Sequence, residues 1–129
     1  MDAVSMTPLV DLLKVLAHPM RLRLLALLRD GELCVCQIVD VLGVPTSTIS
    51  EHLAALRKAG LLVERRDGRW VHYGLSPKPE LVGLLQALWP HVDAVGQVAQ
   101  DNRAVKVIRG IPVEGTCSKS KPCASPADK

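Results

Sequence analysis

The sequence predicts a mainly α-helical domain with one β-hairpin, in the order α-α-α-α-β-β-α. Three observations carry that prediction. Leucine and valine recur at helical spacings through residues 8–59, residues 61–76 turn to Val, Leu and aromatic residues around Asp67-Gly68, and helical spacing returns after Pro79. With 129 residues the chain is long enough for one domain with a real core and too short for two.

Each element has its own signal. PLVDLLKVL (8–16) and PMRLRLLALL (19–28) place Pro8 and Pro19 in first turns, where a missing N–H costs nothing, and Gly31 closes the second helix. A short third helix is expected over 35–42, ending at Gly43. Val44-Pro45 turns the chain into TSTISEHLAALRKAG, where Ile49, Leu53 and Leu56 fall at i, i+4 and i+7 as one buried stripe and Gly60 stops the helix. Thr48 and Glu51 have capping-box spacing, with Thr46 as the alternative cap. Asp67-Gly68 marks a hairpin within LLVERRDGRWVHYGLS. ELVGLLQALWPHVDAVGQVAQDNR follows as a helix that Pro90 should kink or divide. Residues 1–109 thus form the folded domain. Residues 110–129, rich in Pro, Ser, Lys and Gly, read as a flexible tail that contains Cys117 and Cys123.

Short helix, tight turn, second helix and hairpin make a winged helix-turn-helix, whose second helix enters the DNA major groove while the hairpin reaches toward the backbone. With Ile49, Leu53 and Leu56 inward, Thr46, Ser47, Ser50 and Glu51 lie near the exposed start of that helix, where hydroxyls and the helix N-terminus suit phosphates and base edges. Net charge is only +3, so the distribution carries the argument. Arg57, Lys58, Arg65, Arg66 and Arg69 fall within thirteen positions against Glu64 and Asp67. Arg57, Arg66 and Arg69 are the expected backbone contacts. Only Trp70, Tyr73 and Trp89 are aromatic, which argues against RNA or single strands bound by stacking. The N-terminal stretch has no basic head before a continuous apolar run, so no signal peptide or membrane span is expected, and the expected location is cytoplasmic.

Two of the four cysteines, Cys34 and Cys36, sit two apart at the start of the third helix. In a reducing compartment such thiols suggest metal binding more than disulfides. On a regular helix, residues i and i+2 point about 200° apart. Both could then close on one ion only if the first turn unwound, and one of them should be exposed. A redox pair would need a βαβ context that is not visible, and no catalytic triad, metalloprotease helix motif or phosphate-binding glycine loop occurs. No enzyme and no organic cofactor are expected. A winged helix serving only as a protein-interaction module would leave the cysteine pair unexplained.

HPMRLRLLALL, GELCVCQIVDVLG and STISEHLAALRKAGLLVERRDGRWVHYGL, all within residues 18–76, resemble the ArsR/SmtB family of bacterial metal-sensing repressors. The resemblance implies a homodimer joined through its first and last helices that leaves double-stranded operator DNA when metal binds. Thr46, Ser47 and Ser50 match family DNA contacts, whereas Glu51 stands where many relatives have a basic residue or His. The expected dimer interface is Leu9, Leu12, Leu13 and Leu16 with Leu84, Leu85, Leu88 and Val92.

ELCVC matches the start of the motif that arsenic-responsive members use for As(III) or Sb(III), but the third cysteine of that motif is replaced by Val39. Soft metalloids favour sulfur donors, so a third ligand would be a non-protein group or a tail cysteine, Cys117 or Cys123, from the same or the other subunit. The alternative within the family is a Cd(II)/Pb(II) sensor using Cys34, Cys36, Cys117 and Cys123 together. A zinc site on the last helix would have His91 and Asp93 as one half and no second histidine further along.

Overall fold

A computed structural model describes residues 6–111. The helices are α1 (Thr7–Leu16), α2 (Pro19–Leu27), α3 (Val35–Leu42), α4 (Thr46–Lys58), α5 (Pro79–Asp93) and α6 (Gly96–Arg109). The strands are β1 (Leu33–Cys34), β2 (Leu62–Asp67) and β3 (Trp70–Leu75). The winged helix-turn-helix plan is present: α3 and α4 flank the tight turn and β2–β3 is the wing. Among the described residues no helix is long and apolar enough to cross a membrane.

Local chemistry explains the boundaries. His18 caps α2 by accepting the Met20 N–H at Nδ1 (3.1 Å), with Pro19 at the first helical position. Gly43, at φ +65°, ends α3 in the left-handed conformation. The end of α4 is a Schellman motif: the Leu61 N–H donates to Leu56 O and the Gly60 N–H to Arg57 O, both at 3.0 Å, with Gly60 at φ +84°. The wing turns through Gly68-Arg69, with a positive φ at Gly68 alone, as a two-residue hairpin loop of the II′ kind requires.

The core joins α2, α3, α4 and the sheet. Leu24, Leu25, Ile38, Ile49, Leu53, Leu56, Leu61 and Val71 are fully buried, and the α4 stripe is the one its spacing predicts. Helix α6 packs on α2 and α3. The Arg23 guanidinium holds buried Asp101 of α6 with two hydrogen bonds (2.8 and 3.1 Å), and Arg29 holds Asp93 of α5 while stacking on Trp89.

Three features differ from the sequence expectation. Pro90 lies inside α5, which runs on to Asp93 before the chain breaks at Ala94–Val95. Pro90 and Gln86 are both exposed, so water can serve the carbonyl whose N–H partner the proline removes. The last helix is therefore two helices, divided elsewhere than at the proline. The capping box at Thr48–Glu51 is also absent, because α4 starts at Thr46 with Pro45 as its cap residue. Finally, β1 is an unexpected strand. It pairs antiparallel with β3 (Leu33 opposite Tyr73, Cys34 opposite His72), making a three-stranded sheet in the order β1-β3-β2. Two residues are too few to show an alternating pattern.

Candidate nucleic-acid interface and cysteine site

Helix α4 presents its first turn outward. Thr46 and Ser47 are exposed, Ser50 is half-buried and Glu51 is exposed. No side chain caps this end, and its uncapped first-turn N–H groups suit phosphate. In the last turn, exposed Arg57 lies 3.6 Å from Glu64 on β2. His52 faces α2: its Nδ1 accepts from Arg21 Nε (3.1 Å) and its ring lies 4.5 Å from that of His18. Loss of hydration, together with His18 and Arg21, lowers the His52 pKa.

The wing divides its basic residues between two faces. Neighbours along a strand point to opposite sides, and directly opposed residues share one. Leu62, Glu64 and Arg66 therefore share the face of buried Val71 and Tyr73, toward α4. Arg65 lies on the reverse face, where its guanidinium grips Glu32 at 2.8–3.1 Å. That pairing holds the Glu32 carboxyl below its usual range. Arg69, at the wing tip, leans over the Trp70 ring (5.1 Å to its centre). The basic run that reads as one cluster in the sequence is thus split, with Arg57 and Arg66 on the recognition-helix side and Arg65 tied behind.

The cysteines are arranged differently from a helical i, i+2 pair. Cys34 precedes α3 as its cap residue, in extended conformation (φ −89°, ψ 166°), and belongs to β1, whereas Cys36 lies in the first turn. Their sulfurs are 3.7 Å apart. The expectation that the helix must unwind to bring them together is therefore corrected, because helical geometry does not apply to a residue outside the helix. Nor does either point fully outward: Cys34 is buried and Cys36 half-buried. A capping box supports the pair. Gln37 Oε1 accepts the Cys34 N–H at 2.9 Å, and the Cys34 sulfur accepts from the Gln37 backbone N–H.

Two sulfurs each about 2.3 Å from one ion at a tetrahedral angle would lie about 3.8 Å apart. The observed spacing fits a single soft ion between them. Among the described residues no group of three His, Cys, Asp or Glu side chains is arranged to hold a metal ion. Val39 is half-buried in α3 and supplies no sulfur. Cys117 and Cys123 lie outside the described residues. Asp93 is engaged with Arg29, which holds its carboxyl below the usual range, and His91 is exposed.

Of the leucines expected at a dimer interface, Leu9 and Leu13 are half-exposed on α1, and Leu12, Leu84 and Leu88 are partly buried. Leu16, Leu85 and Val92 are buried within the single chain and have little surface to offer a partner. Spacing identifies an apolar stripe but not which part of it turns toward the chain's own core. Sequence reasoning also missed Glu32, Gln37 and Arg109. Arg109, the last residue of α6, donates to the carbonyls of Gly31 (2.9 Å) and Glu32 (3.1 Å) from 77 or 78 positions away. No local pattern signals such a contact.

Tight turn, open-ended second helix and basic wing define a DNA-binding regulator of the winged helix-turn-helix class. Residues 18–63 match the family described as bacterial regulatory protein, arsR family. The chain is 49% identical over 69 residues to the arsenical resistance operon repressor of Escherichia coli K12, covering 53% of this chain and 59% of that protein. Among solved structures, the AntR antimony-specific transcriptional repressor is 31% identical (TM-score 0.58, covering 73% of this chain and 87% of that one). The homodimeric winged helix-turn-helix domain of Mb0332 from Mycobacterium bovis is 28% identical (TM-score 0.62, covering 72% and 91%). The chain belongs to the arsR family, whose members are DNA-binding transcriptional regulators and not enzymes. It spans about 60% of the length of the E. coli relative.

Proposed function

We propose that this protein is a metalloid-responsive repressor that binds double-stranded operator DNA as a homodimer and releases it when As(III) or Sb(III) binds Cys34 and Cys36. The observation that carries the reading is the 3.7 Å separation of two sulfurs at the start of α3, the helix packed against the recognition helix α4. The arsenical and antimony repressors among its relatives support the choice of ion, and the homodimeric relative supports the dimer. Thr46, Ser47 and Ser50 would read or position the operator, with Arg57, Arg66 and Arg69 on phosphates. Leu9, Leu12 and Leu13 of α1, with Leu84 and Leu88 of α5, would carry the dimer interface.

A pyramidal metalloid bound by sulfur calls for a third donor. We assign it to Cys117 or Cys123 of the same subunit. Arg109 anchors the end of α6 to Gly31 and Glu32, only two or three residues before Cys34. Cys117 is six residues past Ile111, a reach of about 20 Å when extended. An ion drawing on the Cys34 sulfur competes with the Gln37 N–H for it, so loading the site loosens the start of α3. Coupling is reciprocal: DNA must weaken metalloid binding by the factor the metalloid weakens DNA binding, typically about 5–150-fold.

The test is operator release by the reduced protein, titrated with As(III), Sb(III), Cd(II), Pb(II) and Zn(II), in the full chain, in Cys34→Ser and in a truncation after Gly110. Release by As(III) and Sb(III), lost in Cys34→Ser with operator affinity intact and weakened by truncation, is the expected result. Undiminished release from Cys34→Ser would falsify the site. Release mainly by Cd(II) or Pb(II) would instead make this a four-sulfur sensor of those ions.

A further inference from the structure

The position of Cys34 on a strand, not in a helix, raises the question of what the strand is attached to. Cys34 opposes His72 on β3, and His72 opposes Arg65 on β2, so the three residues form one row on the face of the sheet opposite Val71 and Tyr73, with Cys34 at its buried end. The ladder joining β1 to that sheet is only two residues long. One side chain reinforces it. Glu32, two residues before Cys34, crosses the central strand and takes Arg65 Nε and Nη2 in three contacts of 2.8–3.1 Å. It crosses at Gly74, where a Cβ would lie 3.2 Å from Glu32 Cγ. At the same residue the backbone carbonyl receives Arg109 from α6. Residue 32 is thus fixed to α6 by its backbone and to the wing by its side chain.

We propose that Glu32 is the positioning residue that carries occupancy of the cysteine pair to the wing, acting as a strap from the cysteine segment across Gly74 to Arg65. This rests on the reading of Cys34 and Cys36 given above. When the sulfurs close on an ion, the segment 32–36 moves as one piece. With the strap in place, the movement drags β2, and with it Arg66 next in the strand. Without it, the short β1–β3 ladder slips and the wing stays where it is. An exposed ion pair of this kind adds little to stability, so transmission of movement is the contribution that distinguishes it.

The experiment measures, on the full-length reduced chain, affinity for a DNA fragment selected by the wild type, with and without sodium arsenite. It also measures arsenite affinity in the absence of DNA. In Glu32→Gln the ratio of the two DNA affinities is expected to fall about two- to fivefold, the scale on which an exposed pair acts. Arsenite affinity and melting temperature should stay unchanged. Gly74→Ala, which keeps both charges but obstructs the crossing, should lower the ratio in the same way, and so should Arg65→Met, which decides the matter if either of the other variants folds poorly. An unchanged ratio in these variants overturns the strap, as does a change in arsenite affinity that leaves the ratio intact. A wild type whose DNA affinity is indifferent to arsenite overturns the repressor reading itself and the strap with it.

Discussion

The recognition helix and the segment that leads into α3 are secured in different ways. In α4, Ile49, Leu53 and Leu56 are fully buried, the C-terminus is closed by its own backbone through Gly60 and Leu61, and Arg21 ties His52 to α2. None of those contacts uses an atom that a metalloid would seek. The segment 31–37 also buries Leu33 and Val35, but it is held by a two-residue ladder, the Arg109 guanidinium on the Gly31 and Glu32 carbonyls, one glutamine, one ion pair and a cysteine sulfur acting as a cap. That sulfur is both the acceptor that orders the helix start and the donor a soft ion would take. The contacts that seat α4 are thus indifferent to a soft ion, whereas the start of α3 includes one for which a soft ion would compete.

The strongest way to break the comparison is to weaken the reading element itself. Leu53→Ala removes a fully buried side chain from the centre of the α4 stripe and should cost about 2–5 kcal/mol of stability, measured by urea unfolding. Operator affinity should fall in parallel with the folded fraction. A loss below about 1 kcal/mol would mean that α4 is less firmly seated than its burial indicates. A smaller effect tests the helix end. Gly60 has a φ of +84°, and a Cβ there meets nothing within 4 Å, so Gly60→Ala isolates the backbone term. That term should cost about 1–2 kcal/mol, a drop in melting temperature of several degrees with the cysteine chemistry untouched.

The same contrast explains what was legible in the sequence. The α4 stripe, the α3 boundaries and the hairpin follow from spacings and turn residues within a dozen positions, and all are present. The cysteine pair was visible as a pattern, but its geometry was not. Helical geometry stops at the boundary where Cys34 is extended, and the two-residue strand that makes it so has no periodicity to read. The Glu32–Arg65 pair spans 33 positions and the Arg109–Glu32 contact 77, and both depend on how the sheet and α6 come together. Pro90 shows the opposite failure. A strong local signal for a helix break is overridden at a place where Gln86 and Pro90 are both exposed, so water can serve the carbonyl that loses its N–H partner.

The smallest effect concerns His52, the one histidine of α4. His52 accepts from Arg21 at Nδ1 and lies beside His18, and burial, His18 and Arg21 in that order depress its pKa, with Glu51 opposing weakly. A histidine depressed in the folded state binds fewer protons there than in the unfolded chain, so stability rises with pH through its titration. The contribution is fully present above the ordinary value of 6.5 and is lost as pH falls from there through the folded-state value. Protonation would also turn Nδ1 from acceptor to donor and set a cation against Arg21. Melting temperature measured between about pH 5 and 8 should therefore decline on the acid side, and His52→Gln should flatten part of that decline. An identical slope in the variant would show that His52 keeps its charge state on folding, and would leave Arg21 as a packing contact indifferent to pH.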